Sequence, residues 1–120
     1  MQNDWPAYLA GVSARIKEMR AEQPDVMKAF SGLAQAALKP QALDAKTKEL
    51  IALGISVAVR CDDCIGFHVK AALAHGASRA DIMETLAMAI YMGAGPSVMY
   101  ASHVLDAYAQ MAEPKPEGTP

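Results

Sequence analysis

Helix-stopping residues recur along this chain at intervals that leave room for helices of moderate length and for little else. Pro24, Lys39-Pro40, Gly76 and the run Gly93-Ala94-Gly95-Pro96 divide it into segments. Proline and glycine at such points end or restart a helix. Between the breaks, apolar residues return at helical spacing. From Trp5 to about Glu22, Leu9, Val12, Ile16 and Met19 form one stripe, with Arg15, Lys17, Glu18 and Arg20 off it. From Pro24 to Leu38, with Asp25 in the first turn, Met27, Phe30, Leu33 and Ala34 are expected to face inward.

The later segments carry their own start signals. Asp44 is the expected cap of a third helix reaching about Arg60. A fourth begins near Cys61 or Asp62 and stops at Gly76, a natural residue to follow a helix end. Ser78-Arg79-Ala80-Asp81 has the form of a capping box with Asp in place of Glu, opening a fifth helix through Ile82, Leu86, Ala89 and Ile90. A sixth, from Pro96, carries Val98, Tyr100, Val104, Leu105 and Tyr108. No segment alternates in the manner of a strand. The fold class expected is all-α with about six helices, in a single domain over residues 1–112. The tail, 113–120, holds three prolines and a glycine and is expected to be disordered.

Composition narrows the partners. The chain is 52% hydrophobic but only 6% aromatic, so Ala, Leu, Met, Val and Ile supply most of the apolar surface. At 120 residues a monomer has too much surface to hide all of it, which predicts a homo-oligomer. The methionines Met83, Met88, Met92 and Met99 are expected to be adaptable core or interface filler. The net charge of -2 shows no basic patch and argues against nucleic acid. Leu50 to Val59, a charge-free and largely apolar run, is about half of what a membrane span requires. Asp4 and Trp5 stand where a signal peptide would place basic residues, so a cytoplasmic, thiol-reducing location is expected.

Chemistry concentrates in Cys61-Asp62-Asp63-Cys64-Ile65-Gly66-Phe67-His68, with Glu49 upstream. On a helix, Cys61, Cys64 and His68 share one narrow stripe. A helix N-terminus favours thiolate over thiol, and one turn brings a second sulfur close enough to resolve an oxidised first one. His68, one turn after Cys64, is placed to take its proton. If the third and fourth helices pack antiparallel about a tight joint near Arg60, Glu49 lies roughly 17 Å down one and His68 roughly 10 Å down the other. Glu49 then reaches His68 but hardly Cys64, so the expected order is Cys64, His68, Glu49. His75 is expected to meet helix-end carbonyls, and His103 to be structural or at an interface.

Glu49, the apolar segment after it, Cys61-x-x-Cys64-x-x-x-His68, Ala72, Gly76 and Ser78-x-x-Asp81-Ile82 resemble the alkylhydroperoxidase D-like branch of the carboxymuconolactone decarboxylase family. The resemblance spans roughly residues 44–95. It implies an all-helical fold, trimers or hexamers, and thiol-dependent reduction of peroxides, with an external dithiol or thioredoxin-like protein as reductant and no cofactor. It further implies that Cys64 is the peroxide-reactive thiol, that Cys61 resolves it, and that Glu49 and His68 form a proton relay. Some members carry His immediately before the second cysteine, where this chain has Asp63. The charge of Asp62 and Asp63 opposes thiolate formation nearby.

Other readings of the same residues stay open. Cys61, Cys64, His68 and Glu49 are donor types that suit a zinc site, although two Cys with two His, or four Cys, are commoner structural sets. The chain can also be read as a helical interaction protein whose thiols sense oxidation. By itself, Glu49 would pass for a solvated helix residue near Lys46 or Lys48.

Overall fold

The computed structural model describes residues 2–112, so the tail at 113–120 lies outside the described residues. Five helices follow in order: α1 (Trp5–Glu22), α2 (Pro24–Leu38), α3 (Ala45–Ala58), α4 (Asp62–Ala74) and α5 (Arg79–Ala112). No strand occurs among the described residues. The fifth and sixth helices expected from the sequence are two halves of α5, interrupted at Ala94 with φ 53. The interruption sits between Gly93 and Gly95, and it folds the second half back on the first. Arg79 consequently lies 5.3 Å from the ring centroid of Tyr108, residues that a straight helix would hold about 44 Å apart.

The start signals act as local chemistry dictates. Asp4 and Asp44 accept the backbone N–H groups of Ala7 and Thr47. Ser78 and Asp81 form the reciprocal capping box: Asp81 accepts from the Ser78 N–H, and Ser78 Oγ accepts from the Asp81 N–H. At the end of α2, Lys48 Nζ donates to the carbonyls of Ala37 and Lys39, a cation placed on the negative end of a helix.

α3 is the hub, packed on α4, α5 and the end of α2. Its buried Leu53 and Val57 meet Ile65, Val69 and Ala72 of α4 and Ile82, Leu86, Val104 and Ala107 of α5. Trp5 closes one end of this core. It is fully buried, and its Nε1 donates to Asp106 Oδ2 at 2.9 Å. α1 crosses α4 where α4 has no side chain: a Cβ on Gly66 would stand 2.7 Å from Leu9 Cδ2 and 2.9 Å from the Trp5 ring.

Two expectations about burial need correction. Phe30 and Leu33 do not face inward; they are 62% and 66% exposed, and α2 buries no residue. Among the described residues its apolar stripe has no partner, because there α2 packs only on α1 and α3. Of the two places expected for the methionines, core or interface, the core is excluded, since Met83, Met88, Met92 and Met99 all stand exposed on α5.

Candidate functional site

The turn from α3 into α4 is built on Arg60 and Cys61. Cys61 N–H donates to Ser56 O and Arg60 N–H to Val57 O, the paired bonds of a Schellman motif, with Arg60 left-handed at φ 59. α4 ends in the same motif, with Ala77 N–H on Ala72 O, Gly76 N–H on Leu73 O and Gly76 at φ 84. Glycine takes that conformation freely, whereas a residue with a Cβ pays about 1–2 kcal/mol for it.

Cys61 ends one helix and begins the next. It is the N-cap of α4, and its sulfur accepts the Cys64 backbone N–H at 3.2 Å. Its sulfur and that of Cys64 are joined in a disulfide, with 5.2 Å between the Cα atoms. The N-terminus of α4 thus directs its unpaired donors and partial positive charge at this pair.

Glu49 and His68 meet across the α3–α4 contact, Oε1 to Nδ1 at 2.7 Å. Glu49 is 6% exposed, and a carboxylate so placed needs a partner to offset its lost hydration. The solvated reading is displaced, because Lys46 pairs with Asp81 at 3.3 Å and Lys48 is engaged at the end of α2. An ionised carboxylate only accepts, so Nδ1 of His68 is the donor and Nε2 is left as the basic nitrogen.

The two acids between the sulfurs are each held by a residue distant in the chain. Asp62 Oδ1 lies 2.7 Å from His103 Nδ1 on the second half of α5. Asp63 accepts a short hydrogen bond from the Tyr8 hydroxyl on α1. That bond, followed by burial and the charges of Asp63 and Asp62, pushes the Tyr8 phenol up to about 12. Neither partner was assigned to the site from the sequence; with separations of 41 and 55 residues, no local signal linked them to the motif. Their effect is to hold both carboxylates to partners on α5 and α1. Among the described residues, no group of three or more His, Cys, Asp or Glu is arranged to hold a metal ion, and no helix is long and apolar enough to cross a membrane.

The wider comparison agrees with this architecture. The residue profile of the carboxymuconolactone decarboxylase family matches residues 24–107. An uncharacterized protein of Cupriavidus necator is 41% identical over 105 residues, 88% of this chain and 93% of that one. The solved structure of a carboxymuconolactone decarboxylase family protein from Legionella pneumophila superposes with a TM-score of 0.89 at 44% identity, covering 91% of this chain and 97% of that one. A Thermotoga maritima member, described as a candidate for a role in antioxidative response, superposes with a TM-score of 0.79 at 28% identity, covering 88% and 90%. With its five-helix core and a Glu, CxxC and His arrangement of the alkylhydroperoxidase D-like kind, this chain belongs to the carboxymuconolactone decarboxylase family.

Proposed function

We propose that the chain is a thiol-dependent peroxidase, or a disulfide oxidoreductase closely related to one, working through Cys64 and Cys61. The observation that carries this reading is the meeting of a sulfur pair at a helix N-terminus with a carboxylate-held imidazole one turn further on. In the first step His68, oriented by Glu49, takes the Cys64 proton, directly or through a water. The Cys64 thiolate attacks the terminal oxygen of a hydroperoxide. The O–O bond breaks, sulfur is oxidised to the sulfenic acid, and the departing alkoxide receives the proton held on His68 to leave as an alcohol. Cys61 then attacks the Cys64 sulfur, water leaves, and the disulfide forms. An external dithiol restores both thiols by exchange and is itself oxidised to a disulfide.

The pairing of Asp62 with His103 and of Asp63 with Tyr8 supports this assignment, since each acid is held by a partner on another helix. The antioxidative role suggested for the Thermotoga maritima relative points the same way. A cytoplasmic location fits a cycle that depends on a dithiol reductant. Self-association, as trimers or hexamers, fits the apolar stripe of Val26, Phe30 and Leu33 that α2 leaves uncovered. The metal-site reading draws no support from the geometry, in which Glu49 is committed to His68 and the sulfurs to each other.

Peroxide treatment followed by mass spectrometry tests the proposal. In Cys61→Ser, a sulfenic acid is expected on Cys64, whereas the wild type should lose two thiols together. Cys64→Ser is expected to lose peroxide turnover with any dithiol. Full turnover in that variant would refute the reading.

A further inference from the structure

A groove of about 630 Å³ runs between α3 and α5, on a different stripe of α3 from the one that carries Glu49. Its size falls within the range of small-molecule sites, about 300–1,000 Å³. Leu50, Ile51 and Ile55 of α3 and Met88 and Met92 of α5 are its large apolar lining residues, and Arg60 is the one charged residue lining it among those described. The groove follows α3 from Thr47 to Arg60, about 20 Å at 1.5 Å per residue. Ile51, Ile55, Met88 and Met92 are between 46% and 77% exposed. Such a surface in water is one that some apolar ligand would cover favourably.

Two features show that the groove is more than a packing gap. Gly54 lines it, yet packing does not demand a glycine there: an added Cβ would meet only Thr85 Cγ2, at an ordinary contact of 3.5 Å. The small residue leaves room that the helices themselves do not need. Arg60 is the second feature. It occupies the left-handed position that Gly76 fills without strain at the end of α4, and among the described residues its guanidinium joins no ion pair. A strained backbone carrying an unpaired cation at one end of an apolar groove points to a use for that side chain.

We propose that the groove binds a long-chain fatty acid, its acyl chain laid along α3 and its carboxylate on the Arg60 guanidinium. The planar fork of arginine matches a carboxylate through two parallel hydrogen bonds. One cation balances one singly charged head, whereas a phosphate monoester head with its near-double charge would leave excess charge against an apolar wall. A second copy of the chain lying over the groove would bury the guanidinium without a partner unless it brought an acid of its own. A free acyl chain covers the wall and keeps its head at the rim. This assignment is independent of the thiol chemistry, because none of Cys61, Cys64, His68 or Glu49 lines the groove.

Displacement of a fluorescent fatty acid from the full chain tests the proposal, with the molar mass followed by light scattering. Palmitate should displace the probe saturably, at one site per chain. Arg60→Gly should weaken palmitate about tenfold or more, the loss of a charge-assisted hydrogen bond, and leave hexadecanol unchanged. Its melting temperature should hold or rise, because glycine relaxes the left-handed position, so loss of binding cannot be ascribed to misfolding. Ala58→Leu, which narrows the groove at an exposed helix position, should weaken both ligands. Absence of saturable displacement, or equal palmitate affinity in Arg60→Gly, would overturn the proposal. So would palmitate binding only to chains diluted out of an oligomer, which would show that a second copy covers the groove.

Discussion

α2 and α4 both carry an apolar stripe at helical spacing, and in the folded chain the two stripes meet opposite fates. α4 lies between α1, α3 and α5 and buries Ile65, Gly66, Val69 and Ala72. α2 buries nothing, and Val26, Phe30 and Leu33 stand more than 60% exposed. Periodicity therefore identifies a face that needs covering, but not what covers it. The chemistry follows the same division. Cys64 and His68 are carried by the helix that packs against three others, while the helix with the open stripe contributes nothing to the site.

Truncation separates the two helices most sharply. Ile65→Ala removes a side chain with no exposed surface, and a loss of about 2–5 kcal/mol is expected in denaturant unfolding. Phe30→Ala on the isolated chain should change stability by no more than about 0.5 kcal/mol. A large loss from Phe30→Ala that does not depend on protein concentration would mean that α2 has a partner within its own chain. If copies meet on this stripe, Phe30→Glu should lower the molar mass in light scattering without unfolding the chain. An unchanged mass would move the interface elsewhere.

A single kind of substitution should even change sign between them. At Gly66 a new Cβ collides with Leu9 and Trp5, and repacking around it costs about 1–3 kcal/mol. At Gly32 on α2 a new Cβ meets nothing within 4 Å, so Gly32→Ala should stabilise by about 0.5–1 kcal/mol through helix propensity alone. Paired melts of Gly66→Ala and Gly32→Ala check this, and shifts in the same direction would contradict the contrast.

What could be read from the sequence divides along similar lines. Helix limits were legible because their signals are local: Asp44 caps α3, Ser78 and Asp81 cap α5, and Gly76 ends α4 within a few residues of the groups they satisfy. The Glu49–His68 contact followed from helix lengths about one tight turn. Arg60 was not legible as the left-handed residue of that turn, since nothing local marks an arginine for a position that favours glycine. Trp5, Tyr8 and His103 were missed for a different reason. Their partners Asp106, Asp63 and Asp62 are 101, 55 and 41 residues away, and only the packed fold brings them together.

Tyr8 offers a fine probe, because α1 touches both α2 and α4. Its phenol is pushed from 10.0 to about 12, first by the hydrogen bond to Asp63. A group held protonated in the folded state stabilises fully below its unfolded value, and that contribution fades as pH rises through the folded one. The stability linked to Tyr8 is therefore complete below pH 10 and declines from there to about pH 12. Among the four tyrosines, a step near pH 12 in the phenolate absorbance should disappear in Tyr8→Phe, and the decline in stability above pH 10 should become shallower. At neutral pH the same variant should lose no more than about 1 kcal/mol, the net worth of one hydrogen bond. Should the late step survive in Tyr8→Phe, Asp63 is not held by α1, and its charge lies open to the sulfur beside it.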